Sequence, residues 1–320
     1  MTEAAPTTDA AAVDLVPFGE LPMRQVADAL AAAFGEDGAA GHTPTAWRAM
    51  LGLELESGRC DPALSTALVQ NGRVLGACIA RLGDAPYAHI GATGIRPGRR
   101  GQGLGRRLVS HVLQGMLGRA HDRVTLEVER PNLAAESLYE SLGFRPQREL
   151  LTVQLRKERF RATGRLRTVR VAAEEALAVM AGFYVGGPIT GSDGVHFDEL
   201  IQEPQPAFQR RLEYLRTFVP ERQSQGALIG GAVFQAVNVG GPHLGFAMYR
   251  GSQLFTMTAC DFDDQLIVST LLQVALDKEP ALRLIHVPED SPAHIALLRL
   301  GAEVTGRATE MCWGRPEPVP

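Results

Sequence analysis

Arg100-Gly101-Gln102-Gly103-Leu104-Gly105 stands where a strand hands over to a helix. Upstream, Tyr87 to Ile95 reads as a strand interrupted by Gly91 and Gly94. Downstream, Leu104, Leu108, Val109, Val112, Leu113, Met116 and Leu117 form an apolar stripe at helical spacing. The glycines therefore collect at a helix start. Unpaired N–H groups and a partial positive charge favour anions there, and the missing Cβ atoms let an oxyanion approach the backbone. Arg96, Arg99, Arg100, Arg106 and Arg107 add full charges around the same turn. The pattern predicts an anion-binding corner.

Two familiar phosphate cradles do not fit it. A nucleotide-triphosphate loop needs Lys and then Ser or Thr after its last glycine, whereas Gly103 is followed by Leu104-Gly105. A dinucleotide fingerprint beginning at Gly101 needs glycine or alanine where Arg106 stands, and an acidic residue at the end of the next strand. What remains is Arg100-x-x-Gly103-x-Gly105. Further on, Val124-Thr125-Leu126-Glu127-Val128 reads as a strand and Pro131-Asn132 as a turn and helix cap. The next helix carries Ala135, Leu138, Tyr139 and Leu142 on one face and stops at Gly143.

These two blocks, in this order and spacing, resemble the coenzyme A pyrophosphate loop and the second conserved block of the GNAT superfamily of N-acetyltransferases. The resemblance covers about residues 13–155, and its nearest local likeness is to the ribosomal-protein alanine acetyltransferases. It implies an α/β (α+β) fold with a mixed, mostly antiparallel sheet flanked by helices, splayed to admit the pantetheine arm. Acetyl-CoA is the implied co-substrate, held by Thr93, Gly94, Ile95, Arg100, Gly101, Gln102, Gly103, Leu104, Gly105 and Arg106. Gly94 and Ile95 match the bulged strand that donates an N–H to the thioester carbonyl. Asn132 either hydrogen-bonds the pantetheine arm or caps the helix. Tyr139 matches the general acid for the coenzyme A sulfur, against a reading as a core aromatic on the helix stripe. Glu127 matches the position of the base in the alanine acetyltransferases, against a reading as a half-exposed strand glutamate. His89, on the cofactor strand, is a second-choice base. Glu36 and Asp37 are charges in the loop after the first helix that a cationic acceptor could meet.

The chemistry asks for a neutral amine, a polarised carbonyl and a proton for the departing thiolate. Deprotonating a lysine-like amine at pH 7 costs roughly 4–5 kcal/mol, an α-amine only about 1. A base is thus useful without being essential. The implied function is acetyl transfer from acetyl-CoA to a small-molecule amine or peptide N-terminus by direct attack in a ternary complex. The alternative is a non-catalytic acyl-CoA-binding or regulatory module.

Composition frames this reading. The chain has 320 residues, 45% of them hydrophobic, and a formal net charge of −4, with no long basic run to engage nucleic acid and no apolar run long enough to cross a bilayer. Cys60, Cys78, Cys260 and Cys312 lack metal-ligand spacing and the eight histidines do not cluster, so reduced thiols and no metal are expected. Residues 1–12 read as a flexible tail without the features of a signal peptide, which implies a cytoplasmic protein; a homodimer is left open.

The length predicts two domains, and the sequence repeats itself. A shift of 158 lays Asp290, Ala293, Ala296, Leu297, Leu300 and Gly301 on Asn132, Ala135, Leu138, Tyr139, Leu142 and Gly143. The same shift lays Leu266, Ile267, Leu271 and Val274 on Leu108, Val109, Leu113 and Met116, and Thr309 to Trp313 on Leu151 to Leu155. The second half reads as a second copy that has lost its chemistry. Thr258-Ala259-Cys260-Asp261-Phe262-Asp263 replaces the glycine loop, and Leu297 replaces Tyr139. Two like charges a few ångströms apart repel by about 4 kcal/mol at an effective dielectric near 20. The expected organisation is a catalytic GNAT domain at 13–160 and a degenerate GNAT-like domain at 161–320, joined by the short charged stretch 156–165. The layout resembles that of mycothiol synthase. There, catalysis is assigned to the second domain, so its thiol-precursor substrate is not carried over.

Overall fold

The computed structural model describes residues 12–35, 43–56, 58–83, 85–171, 232–237, 243–250, 252–259 and 262–314. The chain divides into two compact units, Met1–Val124 and Thr125–Pro320.

The first unit contains β1 (Asp14–Pro17), α1 (Met23–Phe34), α2 (Pro44–Glu56), β2 (Thr66–Gln70), β3 (Arg73–Leu82), β4 (Tyr87–Ile95) and α3 (Leu104–Leu117). The strands lie in sequence order, each antiparallel to the next. Gln70 pairs with Arg73 across Asn71-Gly72, and both turn residues have positive φ, 51° and 71°. That is the backbone a two-residue hairpin of this twist requires. The alanines of α1 let it lie close to the sheet, while Val26, Leu30, Trp47, Leu51 and Ile79 fill the core. On α3 the expected stripe is buried at Leu108, Val109, Val112, Leu113 and Met116.

The second unit begins within β5 (Arg123–Glu129) and continues through α4 (Leu133–Glu140), β6 (Arg145–Arg156), β7 (Arg167–Val171), β8 (Ala232–Val237), β9 (His243–Arg250) and β10 (Gln253–Ala259). It ends with α5 (Gln265–Leu276), β11 (Ala281–Pro288), α6 (Pro292–Arg299) and β12 (Glu303–Trp313). Asp264 caps α5 by accepting from the Leu266 N–H, and Ser291 caps α6 by accepting from the His294 N–H. The strand order is β5-β12-β6-β11-β10-β9-β8-β7, and from β12 to β7 the pairings are antiparallel except where β10 meets β11.

The repeat is visible in this order. The 158-residue shift carries Arg123, the first residue of β5, onto Ala281, the first of β11, and Arg145 at the start of β6 onto Glu303 at the start of β12. Gly143 and Gly301, each just beyond its helix, have φ of +96° and +97°. The last strands of the two halves interleave: β12 lies between β5 and β6, and β6 between β12 and β11. Leu150 pairs with Ala308, its own counterpart under the shift, so a local two-fold axis passes through that pair. Because β6 shares its sheet with strands of the second half, the compact units part at 124/125 and not at the 156–165 join.

Three cysteines among the described residues, Cys60, Cys78 and Cys312, are buried thiols. Burial pushes the Cys60 thiol up to about 11 and the Cys78 thiol up to about 12. Cys60 Sγ lies 3.1 Å from Ser65 Oγ, and the Thr93 hydroxyl donates to Cys78 Sγ at 3.3 Å. Both thiols should stay protonated and unlabelled when native protein is treated with iodoacetamide at pH 8, and should label in denaturant. Peptide mapping of native protein that shows either one alkylated would contradict this. Since the folded values lie above the free-thiol value, their contribution to stability is intact below about pH 8.5 and is lost as the pH climbs toward them.

Candidate active site

The first unit holds the glycine corner. β4 is fully buried from Ala88 to Ile90 and only half-buried from Gly91 to Ile95, so cover over the strand thins towards its end. Its register against β3 slips between Cys78–Thr93 and Ala80–Ile90, which places an extra residue on β4 near Gly91 and Ala92. The bulge expected at Gly94 and Ile95 therefore lies instead at Gly91 and Ala92, and Gly94 and Ile95 pair regularly with Ala77 and Gly76. Gly94 answers to packing: a Cβ there would come 2.6 Å from Ala33 Cβ and 3.1 Å from Phe34 Cε2 of α1. The Thr93 hydroxyl also lies 3.3 Å from the Gly91 carbonyl.

Residues 96–103 connect β4 to α3. Gly101 and Gly103 have φ of +75° and +73°, and nothing lies within 4 Å of where either Cβ would stand. Gly103 is the N-cap of α3 and offers no side-chain cap, so the N–H groups of the first turn are not satisfied by it. Gln102 and Arg106 are exposed, and Leu104 and Gly105 half-buried. The arginines divide. Arg100 donates Nη2 to the Ala33 carbonyl at 2.7 Å and Nε to the Ile95 carbonyl at 3.1 Å, tying the ends of α1 and β4 to the loop. Arg96 donates to the Val74 carbonyl and Arg99 to the Gln70 amide oxygen, so both turn to the β2–β3 hairpin. Burial and the nearby Arg73 guanidinium hold Arg96 below the usual arginine range. Of the five arginines expected around the turn, Arg96 and Arg99 are thus drawn to the hairpin and Arg100 braces the loop, while Arg106 and Arg107 are exposed on α3.

The second unit holds the other three predicted residues. Glu127 lies on β5 with its side chain 9% exposed, Oε1 standing 3.9 Å from Nδ1 of His286 on β11. Asn132 is exposed and caps α4, its Oδ1 accepting from the Ala135 N–H at 3.2 Å. Tyr139 is buried on α4 in edge contact with Phe144, ring centroids 5.9 Å apart. His89, in the first unit, is completely buried on β4 opposite Arg81. Glu36 and Asp37 lie outside the described residues.

Two arrangements had no signal in the sequence. Under Gly91, Arg81 forms a two-pronged ion pair with Glu54 of α2, Nη2 to Oε1 at 2.6 Å and Nε to Oε2 at 3.0 Å. The other is His286, which sits in no motif.

In the second half the corresponding connection runs only from 260 to 264, because β10 extends to Ala259. Asp263 pairs with Arg299 and Asp264 is the cap of α5; Cys260 and Asp261 lie outside the described residues. Among the described residues no three His, Cys, Asp or Glu side chains are placed to hold a metal, and no helix is long and apolar enough to cross a membrane.

Comparison with known proteins bears on the same segments. The profile of the Acetyltransferase (GNAT) family matches residues 27–144. A mycothiol acetyltransferase of Beutenbergia cavernae is 40% identical over 76 residues, 24% of this chain and 26% of that protein. The [ribosomal protein bS18]-alanine N-acetyltransferase of Escherichia coli is 37% identical over 83 residues, 25% of this chain and 54% of that protein. The matched stretches therefore span between about a quarter and about half of these relatives. In three dimensions, a tandem GNAT protein from the clavulanic acid biosynthesis pathway superposes with a TM-score of 0.64 at 16% identity, over 97% of this chain and 100% of that one. That likeness establishes the fold.

Proposed function

We propose, on the premise that residues 27–144 form an acetyltransferase domain of the GNAT family, that the chain moves an acetyl group from acetyl-CoA to a primary amine. The observation that carries the reading is the corner at Gly101 and Gly103: left-handed glycines leading into a helix N-terminus without a side-chain cap. Such a corner suits a diphosphate, whose oxygens take up the N–H groups of the first turn. The half-covered end of β4, at Thr93, Gly94 and Ile95, suits the arm that leads to the thioester.

Transfer then needs two proton movements. Glu127 removes a proton from the ammonium form of the acceptor, and the free nitrogen attacks the thioester carbon. As the tetrahedral adduct collapses, the C–S bond breaks and the thiolate takes the phenolic proton of Tyr139; the second amine proton leaves the adduct and restores the phenol. Catalysis is assigned to 13–160. The second half, with its shortened connection and Leu297 in place of Tyr139, contributes structure. The acceptor is a small-molecule amine or a peptide N-terminus. An α-amine fits a single carboxylate base best, because its deprotonation costs only about 1 kcal/mol at pH 7.

Calorimetric titration of the full chain with acetyl-CoA tests this. Micromolar binding is expected, weakened at least about tenfold in Gly103→Val, because a β-branched residue is strained at positive φ and displaces the first turn. No heat at millimolar acetyl-CoA would end the proposal. Binding without acetyl-CoA consumption across a panel of amines and N-terminal peptides would leave only an acyl-CoA-binding module.

A further inference from the structure

We infer that His286, contributed by the second half of the chain, is a positioning residue for the Glu127 carboxylate. The inference rests on the reading of Glu127 as the base.

β11 shows why His286 is where it is. Leu282, Leu284 and Val287 all pack into the core of the second unit. Strict alternation would send residue 286 inward after 282 and 284. Instead, the register of β11 against β6 slips between Leu284 and Val287, and His286 adopts φ +55°. The extra residue lets Val287 take the core position and turns His286 out of it. A left-handed backbone on a non-glycine residue carries a conformational cost and persists only where the surroundings impose it. The fold does not demand it. At the position related by the 158-residue shift, β5 holds Val128, buried and without positive φ, in the same kind of strand. The kink is particular to the second copy, and it leaves an imidazole, side chain 20% exposed, with Nδ1 at 3.9 Å from Glu127 Oε1.

At that range a protonated imidazole favours the ionised carboxylate and restrains its rotation. A base that must accept a proton from an incoming ammonium gains from both. Several other charges on the neighbouring strands and turns pair with one another, while Glu129 on β5 and Arg283 on β11 are exposed. Arg148 pairs with Glu310, Arg130 with Glu149 and Glu136, and Arg307 with Glu289.

Asn is the informative substitution at 286, because it tolerates the left-handed backbone and removes the charge. The first measurement needs no acceptor: the ring of His286, assigned by difference from His286→Asn, is titrated by carbon NMR in the wild-type chain and in Glu127→Gln. Its midpoint should fall by about half a pH unit or more when the carboxylate is neutralised. The second follows acetyl-CoA consumption with alaninamide as the probe amine. His286→Asn should lower kcat about tenfold, raise the acidic limb of the pH profile by about one unit, and leave the KM for acetyl-CoA within about twofold. His286→Lys, which restores a cation, should return the limb toward its wild-type position. An identical His286 titration in the wild type and Glu127→Gln overturns the inference, whatever the rates. Undiminished turnover in Glu127→Gln with a shifted titration would show that the pair exists while Glu127 is not the base. The mechanistic reading would then fail, and the role of His286 with it.

Discussion

Glu54→Ala is expected to destabilise the protein by about 3–5 kcal/mol, more than the loss of any single hydrogen bond would bring. The magnitude follows from what is left behind. The Glu54 and Arg81 side chains are 5% and 8% exposed, and their pairing satisfies two of the guanidinium donors. Removing the carboxylate leaves a buried cation without these two hydrogen bonds and without its counter-charge at Glu54, which costs far more than the pair itself contributes, since desolvation offsets most of the attraction in the intact pair. The site offers no easy relaxation. The guanidinium lies so close to Gly91 that a Cβ there would come 2.4 Å from Nη1. Guanidinium unfolding of Glu54→Ala, Arg81→Met and the double variant decides the matter. The double variant should recover part of the loss, because it buries no lone charge. Single-variant midpoints within the error of wild type would refute the argument. The pair also braces α2 against β3 beneath the bulge of β4, so Glu54→Ala should weaken acetyl-CoA binding at temperatures where the protein is still folded.

Tyr139→Phe is expected to reduce kcat by two to three orders of magnitude, in the range that one well-placed proton donor supplies. The substitution keeps the ring in its edge contact with Phe144 and in its buried place on α4, and removes only the hydroxyl. Stability should therefore change by no more than about 1.5 kcal/mol, the usual worth of one hydrogen bond. The two readings of this residue make opposite demands. A core aromatic would leave kcat unchanged, whereas a general acid would lose rate and keep the KM for acetyl-CoA. Steady-state kinetics beside a thermal melt separates them in one preparation, and wild-type turnover in Tyr139→Phe would remove Tyr139 from the mechanism.

Local features were legible in the sequence because they depend on periodicity and on turn chemistry. β4 ends where the Tyr87 to Ile95 run ends, Asn71-Gly72 makes the tight turn, and Asn132 sits at the helix start where its side chain acts as a cap. The repeat was legible too, since a fixed shift preserves apolar spacing even where identity has gone. Features joining distant segments were not. Nothing in a one-dimensional pattern tells Arg145 to Arg156 to pair with β11 and β12, and strand neighbours more than a hundred residues apart leave no periodic trace. Arginine direction was equally silent. Arg96, Arg99 and Arg100 stand together in the sequence, yet the hairpin carbonyl at Val74, the Gln70 amide and the Ala33 carbonyl draw them apart. The His286 kink leaves no signal either, because a histidine between an isoleucine and a valine looks like any other strand residue.

The interleaving of β12 between β5 and β6, and of β6 between β12 and β11, has a bearing on descent. Once two copies of a gene product have traded their final ribbons, neither can be discarded, because each would leave its sibling with an exposed, unsatisfied seam. A copy in that position is free to lose every catalytic group and is still retained by selection as carpentry. The same exchange predicts that cutting the chain near residue 160 yields two broken proteins.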